Sequence, residues 1–314
     1  MTRGEFSLIN HLIMRRPKPD SLFRPCLVGP GDDAALLSSV SRPVITTDTQ
    51  RENVHFRRAW QTPFEIGSRA VQVTLSDLAA SFAKPVALFI NLGIPQGTPD
   101  LILEGIYEGM ASVLEPLGCD LGGGNTCRSE ELSLDLFAIG EAMGEMPQRG
   151  NAQDGEVLCV TGPLGHARAG LYCLQHRLDG FSELIHAFKR PVARFDAAEI
   201  LFKHGVRCAM DVSDGLAGDA MHMAKASGVT FDVDLASLPL SSPFADWCAK
   251  TGEEALQIMA SGGEEYQLLF TCLEEHLDAI QSELFGVIPL GKVKSFDREY
   301  VKGLPLGSSS YEHM

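Results

Sequence analysis

The chain has 314 residues, of which 45% are hydrophobic and 21% are charged; this is ordinary composition for a globular protein and favours two domains over one. Its formal net charge of −15 argues against non-specific binding to nucleic acid, which requires a basic surface. No apolar run approaches the roughly 20 residues that a membrane helix needs, and the N-terminus lacks the pattern of a signal peptide.

Short β-like runs alternate with longer helical patterns along the chain. We predict strands where β-branched residues cluster between turn formers, and helices where apolar residues recur every three or four positions. The predicted strands are 42–48, 87–94, 132–142, 156–162 and 266–272, and the predicted helices are 64–83, 101–117, 166–177, 193–205 and 216–228. This mixture predicts an α/β (α+β) protein.

A polar stretch rich in turn formers, 144–156, predicts a domain boundary. We therefore divide the chain into an N-terminal domain, 1–148, and a C-terminal domain, 149–314. The eight cysteines occur singly and mostly within apolar runs, which is typical of buried free thiols in a reducing cytoplasm.

Acidic residues recur at predicted strand ends or beside glycines. A single acidic residue in such a place is more often a cap or turn residue than a functional one. Five such places, flanked by small residues and hydroxyls, favour a shared role. They hold Asp32 and Asp33, Asp48, Asp77, Asp211 and Asp214, and Glu264 and Glu265.

Carboxylates that converge repel one another, by about 4 kcal/mol for two charges about 4 Å apart at an effective dielectric near 20. Cations relieve this repulsion, and a ligand set of oxygens without His or Cys suits Mg²⁺ rather than zinc. Thr46, Thr47 and Ser213 add neutral oxygens beside these acids. Because Mg²⁺ held by carboxylates keeps positions open for phosphates, the pattern predicts a nucleotide triphosphate as partner.

Three further features have both a functional and a structural explanation. The segment GGGNTCR, 122–128, precedes a predicted strand and has the composition of a phosphate-binding loop or of a plain tight turn. Arg149 is a candidate nucleotide clamp or a solvated surface residue. His55, seven residues after Asp48, is more often structural than functional in such a context. The P-loop pattern is absent, and GPGDDA fits the dinucleotide fingerprint poorly because two acids would face the pyrophosphate.

Together these residues resemble the thiamine-monophosphate kinases, which share an ATP-binding superfamily with aminoimidazole ribonucleotide synthetase, selenophosphate synthetase and a hydrogenase-maturation protein. The resemblance runs in order along nearly the whole chain. Its segments are GEFSLI at 4–9, GPGDDAALL from 29, ITTDT from 45, LSDLAA from 75, GGGNT from 122, MDVSDGL from 210 and SGGEEYQLLF from 261. The first and last of these separate this family from its superfamily relatives.

The resemblance implies an N-terminal α/β domain that binds ATP and Mg²⁺ and whose sheet pairs across a homodimer, and a larger C-terminal α/β domain that completes the active site. The implied metal ligands are Asp33, Thr46, Thr47, Asp48, Asp77, Asn125, Asp211 and Asp214. The implied ATP-binding residues are Tyr107, Gly124, Asn125, Arg149 and Ser213, and those for thiamine monophosphate are His55, Glu264 and Tyr311.

The expected reaction is direct in-line transfer of the γ-phosphoryl group of ATP to thiamine monophosphate, with no dedicated general base. A phosphate monoester is largely ionised at neutral pH and needs no base to act as nucleophile. The family usually has Asp where Asn125 stands, so one Mg²⁺ is expected to be held more weakly. The alternatives are a related synthetase of the selenophosphate or aminoimidazole ribonucleotide type, or a nucleotide-binding homologue with weakened catalysis.

Overall fold

The structure is a computed structural model that describes residues 25–30, 33–305 and 307–308. Asp32, Tyr311 and the segment 4–9 lie outside the described residues. The chain divides into two units: the first holds the described residues up to Leu78 together with Ala83–Ala142, and the second holds Ala79–Phe82 with the residues from Met143 onward. The predicted domains, 1–148 and 149–314, and the roles given to them remain a proposal.

The first unit is built on a four-stranded sheet. Its strands are β3 (Pro43–Arg51), β4 (Ala83–Pro95), β5 (Asp120–Ser129) and β6 (Ser133–Ala142), in the order β3-β6-β4-β5. Strands β4 and β5 are parallel, and the other neighbours are antiparallel. The unit also contains a short antiparallel pair, β1 (Cys26–Val28) and β2 (Leu36–Leu37), and the helices α1 (Pro63–Ala80) and α2 (Asp100–Leu114).

The two faces of this sheet have different surroundings, because successive side chains of a strand point to opposite faces. In β6, Leu136 and Ala138 are fully buried, whereas Phe137 between them is 40% exposed. Residues at even-numbered positions of β3 contact helix α1, as the bond from Arg69 to Gln50 shows (2.8 Å). The even-numbered side chains of β3 therefore face helix α1, and the odd-numbered ones lie on the outer face.

The second unit is built on a six-stranded sheet. Its strands are β7 (Val157–Val160), β8 (Cys208–Asp211), β9 (Val229–Val233), β10 (Leu268–Cys272), β11 (Ile288–Ser295) and β12 (Val301–Lys302), in the order β12-β9-β11-β7-β10-β8. Its helices are α3 (His166–His176), α4 (Ser182–Lys189), α5 (Phe195–Lys203), α6 (Leu216–Ser227), α7 (Ser242–Thr251), α8 (Ala255–Ser261) and α9 (Glu274–Glu283), and a 3-10 turn spans Leu235–Ser237.

Helices cover both faces of this second sheet. Alternate residues of β7 divide between two apolar clusters: Leu158 and Val160 pack with residues of α3, α4, α6, α7 and α8, and Val157 and Cys159 pack with residues of α5 and α9. All four are buried, as expected for a strand covered on both faces. The unit has three layers, with the sheet in the middle, and the structure confirms the predicted mixed α/β class.

Several local predictions are wrong. Helix α2 ends at Leu114 rather than at residue 117, and strand β10 begins at Leu268 rather than at residue 266. The segment GGGNTCR lies inside strand β5 and not in a loop before a strand. It pairs with β4, and a side chain at Gly124 would lie 1.8 Å from the Ile90 carbonyl oxygen, so the glycine satisfies close strand packing. Helix α1 ends at Ala80 rather than at residue 83, because Phe82 adopts a left-handed φ of 50° and β4 begins one residue later.

Within the part of the chain that the structure describes, no helix has the length and apolarity needed to cross a membrane. All eight cysteines are free, and six of them are buried.

Candidate functional site

Two acidic residues of the first unit meet where strand β3 faces helix α1. Thr46 Oγ1 donates a hydrogen bond to Asp77 Oδ2 over 2.5 Å. Asp48 lies two residues further along the same face of β3, close enough to Asp77 for their charges to interact. The strand period of two places Thr46 and Asp48 on one face, and Asp77 reaches them from the helix. Three of the predicted ligands therefore form one group of oxygens.

The environment of Asp48 opposes its ionisation overall. Burial raises the pKa of the Asp48 carboxyl, and the neighbouring Asp77 charge raises it further. The backbone N–H of Thr49, which donates to Asp48 Oδ1 over 2.6 Å, lowers the same pKa, as does the Arg69 guanidinium. A cation bound here would favour the ionised form. The sequence prediction did not include Arg69, which is 1% exposed. Its position on the apolar side of an amphipathic helix is the signal in the sequence that could have identified it as a buried charge.

Thr47 and Asn125 belong to the other face of the same sheet. Thr47 pairs with Phe137 in the β3–β6 register, and Asn125 pairs with Asn91 in the β4–β5 register. Both side chains are exposed. The structure thus places these two predicted ligands on the side opposite Asp48, while Gly124, the residue before Asn125, approaches the β4 backbone.

Three other predicted residues of the first unit are spread over different elements. Asp33 is exposed, between β1 and β2. Tyr107 is buried in α2, and its burial raises the pKa of the phenol to about 12. His55 follows β3, and its Nδ1 accepts a hydrogen bond from the backbone N–H of Arg51 over 3.1 Å. His55 therefore has a structural role in this turn, with Nδ1 unprotonated.

In the second unit, three loops reach the same edge of the sheet. Strand β10 runs antiparallel to both β7 and β8, with Leu269 opposite Val160 and Leu268 opposite Asp211. The loops that follow β7 and β8 and the loop that precedes β10 therefore meet at one edge. They carry the residues 161–165, 212–215 and 262–267, which include the predicted Ser213, Asp214 and Glu264.

A buried carboxylate that the sequence prediction missed supports the loop after β8. Asp219, in the first turns of α6, is 1% exposed, and its carboxylate accepts hydrogen bonds from the backbone N–H groups of Asp214 and Gly215. Its Oδ2 atom has no partner within the described structure. Burial, with the charges of Asp211 and Asp214, raises the pKa of Asp219 to about 8. Asp219 could have been identified in the sequence as a lone acidic residue on the apolar face of the predicted helix 216–228.

The loop before β10 is held in an unusual backbone conformation. Glu264 and Tyr266 have left-handed φ angles of 64° and 51°, which cost about 1–2 kcal/mol each for residues other than glycine. The N–H of Glu264 donates to the Ser213 carbonyl over 2.7 Å, and that of Tyr266 donates to the Val212 carbonyl over 2.9 Å. Non-glycine residues persist in this region when surrounding contacts hold them there, and they are concentrated at functional sites.

Glu265, between these two residues, is directed to the beginning of helix α3. Its Oε1 accepts a hydrogen bond from the Ala167 N–H over 3.0 Å, and the N–H groups of Gly165 and Arg168 also donate to its carboxylate. The pKa of Glu265 is raised to about 8, mainly by burial and in part by the neighbouring Glu264 charge, against the opposing effect of the three N–H groups. Helix N-termini favour negative charge, so this capping is chemically matched.

The second unit also has a small apolar cavity, lined by Leu164, His166, Leu240, Ser241, Phe244 and other residues. Its volume is about 20 Å³, which is room for about one water molecule. Neither a nucleotide nor a thiamine fits there. Arg149 is exposed, and its backbone carbonyl accepts from Ser227 Oγ over 3.0 Å.

The oxygen groups fit Mg²⁺ better than a transition metal. Among the described residues, no three His, Cys, Asp or Glu side chains form a group that could hold a metal ion by themselves. Mg²⁺ does not require such a cage, because it is commonly held by one or two carboxylates together with waters and substrate phosphates. The Asp48–Asp77 pair supplies two carboxylates, and the unpartnered Oδ2 of Asp219 lies near two more, Asp211 and Asp214.

Comparison with known proteins agrees with the resemblance seen in the sequence. Residues 31–142 match the family "AIR synthase related protein, N-terminal domain", and residues 153–288 match the corresponding C-terminal domain. The thiamine-monophosphate kinase of Aquifex aeolicus is 32% identical over 288 residues, which cover 90% of this chain and 92% of that protein.

Solved structures give the same result. The structure of AaThiL complexed with AMPPCP and TMP has a TM-score of 0.81 and 31% identity, and the match covers 100% of this chain and 99% of that one. The thiamine-monophosphate kinase of Stenotrophomonas maltophilia has a TM-score of 0.83 and 30% identity, with 97% and 98% covered. With this identity over nearly its full length, the chain belongs to the thiamine-monophosphate kinase family.

Proposed function

We propose that this protein phosphorylates thiamine monophosphate with ATP and Mg²⁺, and produces thiamine diphosphate and ADP. Membership of the family supports this activity, and a structure in that family binds AMPPCP, an ATP analogue, together with TMP. The observation in this chain that carries the proposal is the group formed by Thr46, Asp48 and Asp77, in which two neighbouring carboxyl groups and a hydroxyl provide oxygen ligands of the kind that Mg²⁺ prefers.

We assign the carboxylates to metal binding and the remaining predicted residues to the two substrates. Asp48 and Asp77 in the first unit, and Asp211 and Asp214 in the second, are the proposed Mg²⁺ ligands, with Asp33 and Thr46 contributing further oxygens. Thr47 and Asn125 lie on the other face of the first sheet, so they are proposed as ligands of a separate Mg²⁺. Gly124, Arg149, Ser213 and Tyr107 are assigned to ATP, and His55, Glu264 and Tyr311 to thiamine monophosphate. When bound, Mg²⁺ neutralises the phosphate charges and stabilises the charge that develops on the transferred group.

The chemistry of the acceptor explains why a site of carboxylates and hydroxyls suffices. A phosphate oxygen of thiamine monophosphate forms a bond to the γ-phosphorus, while the bond from that phosphorus to the β–γ bridging oxygen breaks, and ADP leaves with the bonding electrons. The attacking phosphate is already ionised at neutral pH, so no residue has to remove a proton. The residues of this chain have to orient two anions, which is the main task in phosphoryl transfer.

The cationic thiazolium ring of the substrate gives Glu264 its proposed role. A carboxylate beside a cation gains favourable electrostatic energy, and the fixed backbone of the 262–266 loop limits where this side chain can lie. His55 is held in its turn by the hydrogen bond that Nδ1 accepts from the Arg51 N–H, and its imidazole is assigned to the same substrate. Acceptors without a cationic ring, such as those of the selenophosphate type, leave Glu264 without this partner.

An assay with γ-labelled ATP tests the proposal. We expect transfer of the label to thiamine monophosphate in the presence of Mg²⁺ and loss of transfer after chelation. Binding of ATP without transfer to thiamine monophosphate, at any Mg²⁺ concentration, would support the non-catalytic homologue instead. Transfer to another phosphorylated acceptor but not to thiamine monophosphate would favour a related synthetase.

We also propose a homodimer formed through the outer face of the first sheet. Ile45 is 67% exposed and Phe137 is 40% exposed on this face, and apolar side chains grouped on an open sheet face favour association. A Phe137→Glu variant should sediment as a monomer where the unmodified protein sediments as a dimer. ATP as substrate and eight free cysteines favour a cytoplasmic location.

A further inference from the structure

The loop 262–266 is fixed by contacts on both sides. On one side, the N–H groups of Glu264 and Tyr266 bond to the carbonyls of Ser213 and Val212. A side chain at Gly263 would lie 2.6 Å from the Ser213 carbonyl oxygen, so the two backbones are in close contact there. On the other side, the side chain of Glu265 bonds to helix α3. Glu265 thus ties this loop through its side chain to a second element.

The three donors that surround Glu265 need a carboxyl group with two acceptor oxygens. The N–H groups of Gly165, Ala167 and Arg168 all donate to it, and both oxygens of a carboxyl group can accept whether it is ionised or protonated. A glutamine in the same place would turn an NH₂ group towards one of these N–H groups. The side chain is 7% exposed, so water cannot easily replace a lost bond.

We propose that Glu265 is a positioning residue for thiamine monophosphate: its carboxyl group anchors the loop to helix α3 and so fixes Glu264 in the left-handed conformation in which it meets the substrate. This rests on the proposed function. Glu265 itself does not touch the substrate. A cap that only stabilised the fold would affect the binding of ATP and of thiamine monophosphate alike, whereas a positioning residue affects thiamine monophosphate selectively.

The first test is the kinetic profile of Glu265→Gln. We expect the KM for thiamine monophosphate to rise about tenfold or more, and the KM for ATP to change less than about threefold. Glu265→Asp keeps both acceptor oxygens and loses one methylene, so it should recover part of the affinity for thiamine monophosphate. If the glutamine variant does not fold, the two KM values of Glu265→Asp test the proposal in its place. Equal changes in both KM values for these variants would overturn the proposal.

The second test is a double-mutant cycle with Glu264→Gln. If Glu265 acts through Glu264, the two substitutions together should raise the KM for thiamine monophosphate no more than Glu264→Gln alone does. Full multiplication of the two separate effects would show that Glu265 acts independently, and would also overturn the proposal.

Glu156→Gln is the matched control. Glu156 is another buried glutamate of the second unit, and it accepts from the Gln153 N–H over 2.9 Å and from Thr271 Oγ1 over 2.6 Å. It lies next to the opposite end of strand β7. We expect lower thermal stability but unchanged KM values for both substrates. An unmodified protein that transfers no phosphate to thiamine monophosphate would contradict the proposed function, whereas an active protein with unselective Glu265 variants would contradict only this inference.

Discussion

The two groups of acids are held in different ways. In the first unit, Asp48 and Asp77 lie on a strand and a helix. Their partners are mainly side chains, the Thr46 hydroxyl and the Arg69 guanidinium, with one backbone N–H, that of Thr49, donating to Asp48. In the second unit, Asp211 ends strand β8, Asp214 lies in the loop after it, and Asp219 lies near the beginning of helix α6, where backbone N–H groups hold its carboxylate.

This difference predicts how each group of acids responds to a single substitution. Side-chain partners can be removed singly, so the first group should respond to single substitutions in a graded manner. Backbone partners are fixed by the path of the chain, so a substitution in the second group should move a whole loop. The charge balance also differs, because burial raises the pKa of Asp48 with a nearby cation to offset it, whereas no cation contributes to the raised pKa of Asp219.

The largest expected effect comes from removing one proposed ligand in each unit. Asp48→Asn and Asp214→Asn should each lower kcat/KM by about 100-fold or more, since a metal site stabilises the transferring phosphoryl group by several kcal/mol. Steady-state assays at saturating and limiting Mg²⁺ measure this. Glu141→Gln, an exposed carboxylate of the first sheet that accepts from Ser41, is the control and should retain full activity. Full activity in the Asp214 variant would restrict metal binding to the first unit.

Asp219 tests the support of the loop after β8. Asp219→Leu leaves the buried N–H groups of Asp214 and Gly215 without an acceptor, so it should lower the free energy of unfolding by about 1–3 kcal/mol and reduce kcat about tenfold. Asp219→Asn keeps an acceptor oxygen and should stay within about 1 kcal/mol of the unmodified protein. Urea unfolding and initial rates measure both. If asparagine were as damaging as leucine, the charge of Asp219 would matter more than its hydrogen bonds.

Glu265 makes stability depend on pH. Its pKa of about 8 in the folded protein exceeds the ordinary value of 4.5, so the folded state binds the proton more tightly than the unfolded state between these values. Its contribution to stability is therefore complete below about pH 4.5 and is lost as the pH rises towards 8, by up to about 1.4 kcal/mol per pH unit. Unfolding in urea from pH 5 to 8 should show a shallower decline for Glu265→Gln. Identical slopes would mean that the helix N-terminus keeps Glu265 ionised.

The sequence predicts residues on regular elements better than residues whose position depends on distant contacts. Alternation along β3 and the helical period of α1 could place Asp48 and Asp77, because regular elements fix which face a residue occupies. The 122–128 segment could not be predicted, since its glycines serve strand packing in β5 and carry the same composition as a loop. The left-handed residues at 264 and 266 and the role of Glu265 depend on contacts with the loop after β8 and with α3, which are distant in sequence.

The smallest expected effect concerns Asn125, where the family usually has aspartate. Asn125→Asp adds one negative charge at an exposed position of the first sheet, on the face opposite Asp48. At an exposed site this charge attracts a nearby Mg²⁺ by about 1 kcal/mol, so the Mg²⁺ concentration for half-maximal activity should fall about fivefold, with little change in the free energy of unfolding. Mg²⁺ titrations at low and high ionic strength measure the effect, which should shrink as salt screens the charge.

Cys127→Asp adds the same charge two residues further along the same strand and should leave the Mg²⁺ requirement nearly unchanged. Equal shifts in the two variants would identify a general effect of net charge and remove Asn125 from the proposed ligands, which would leave Asp48 and Asp77 as the principal acidic ligands of the first unit.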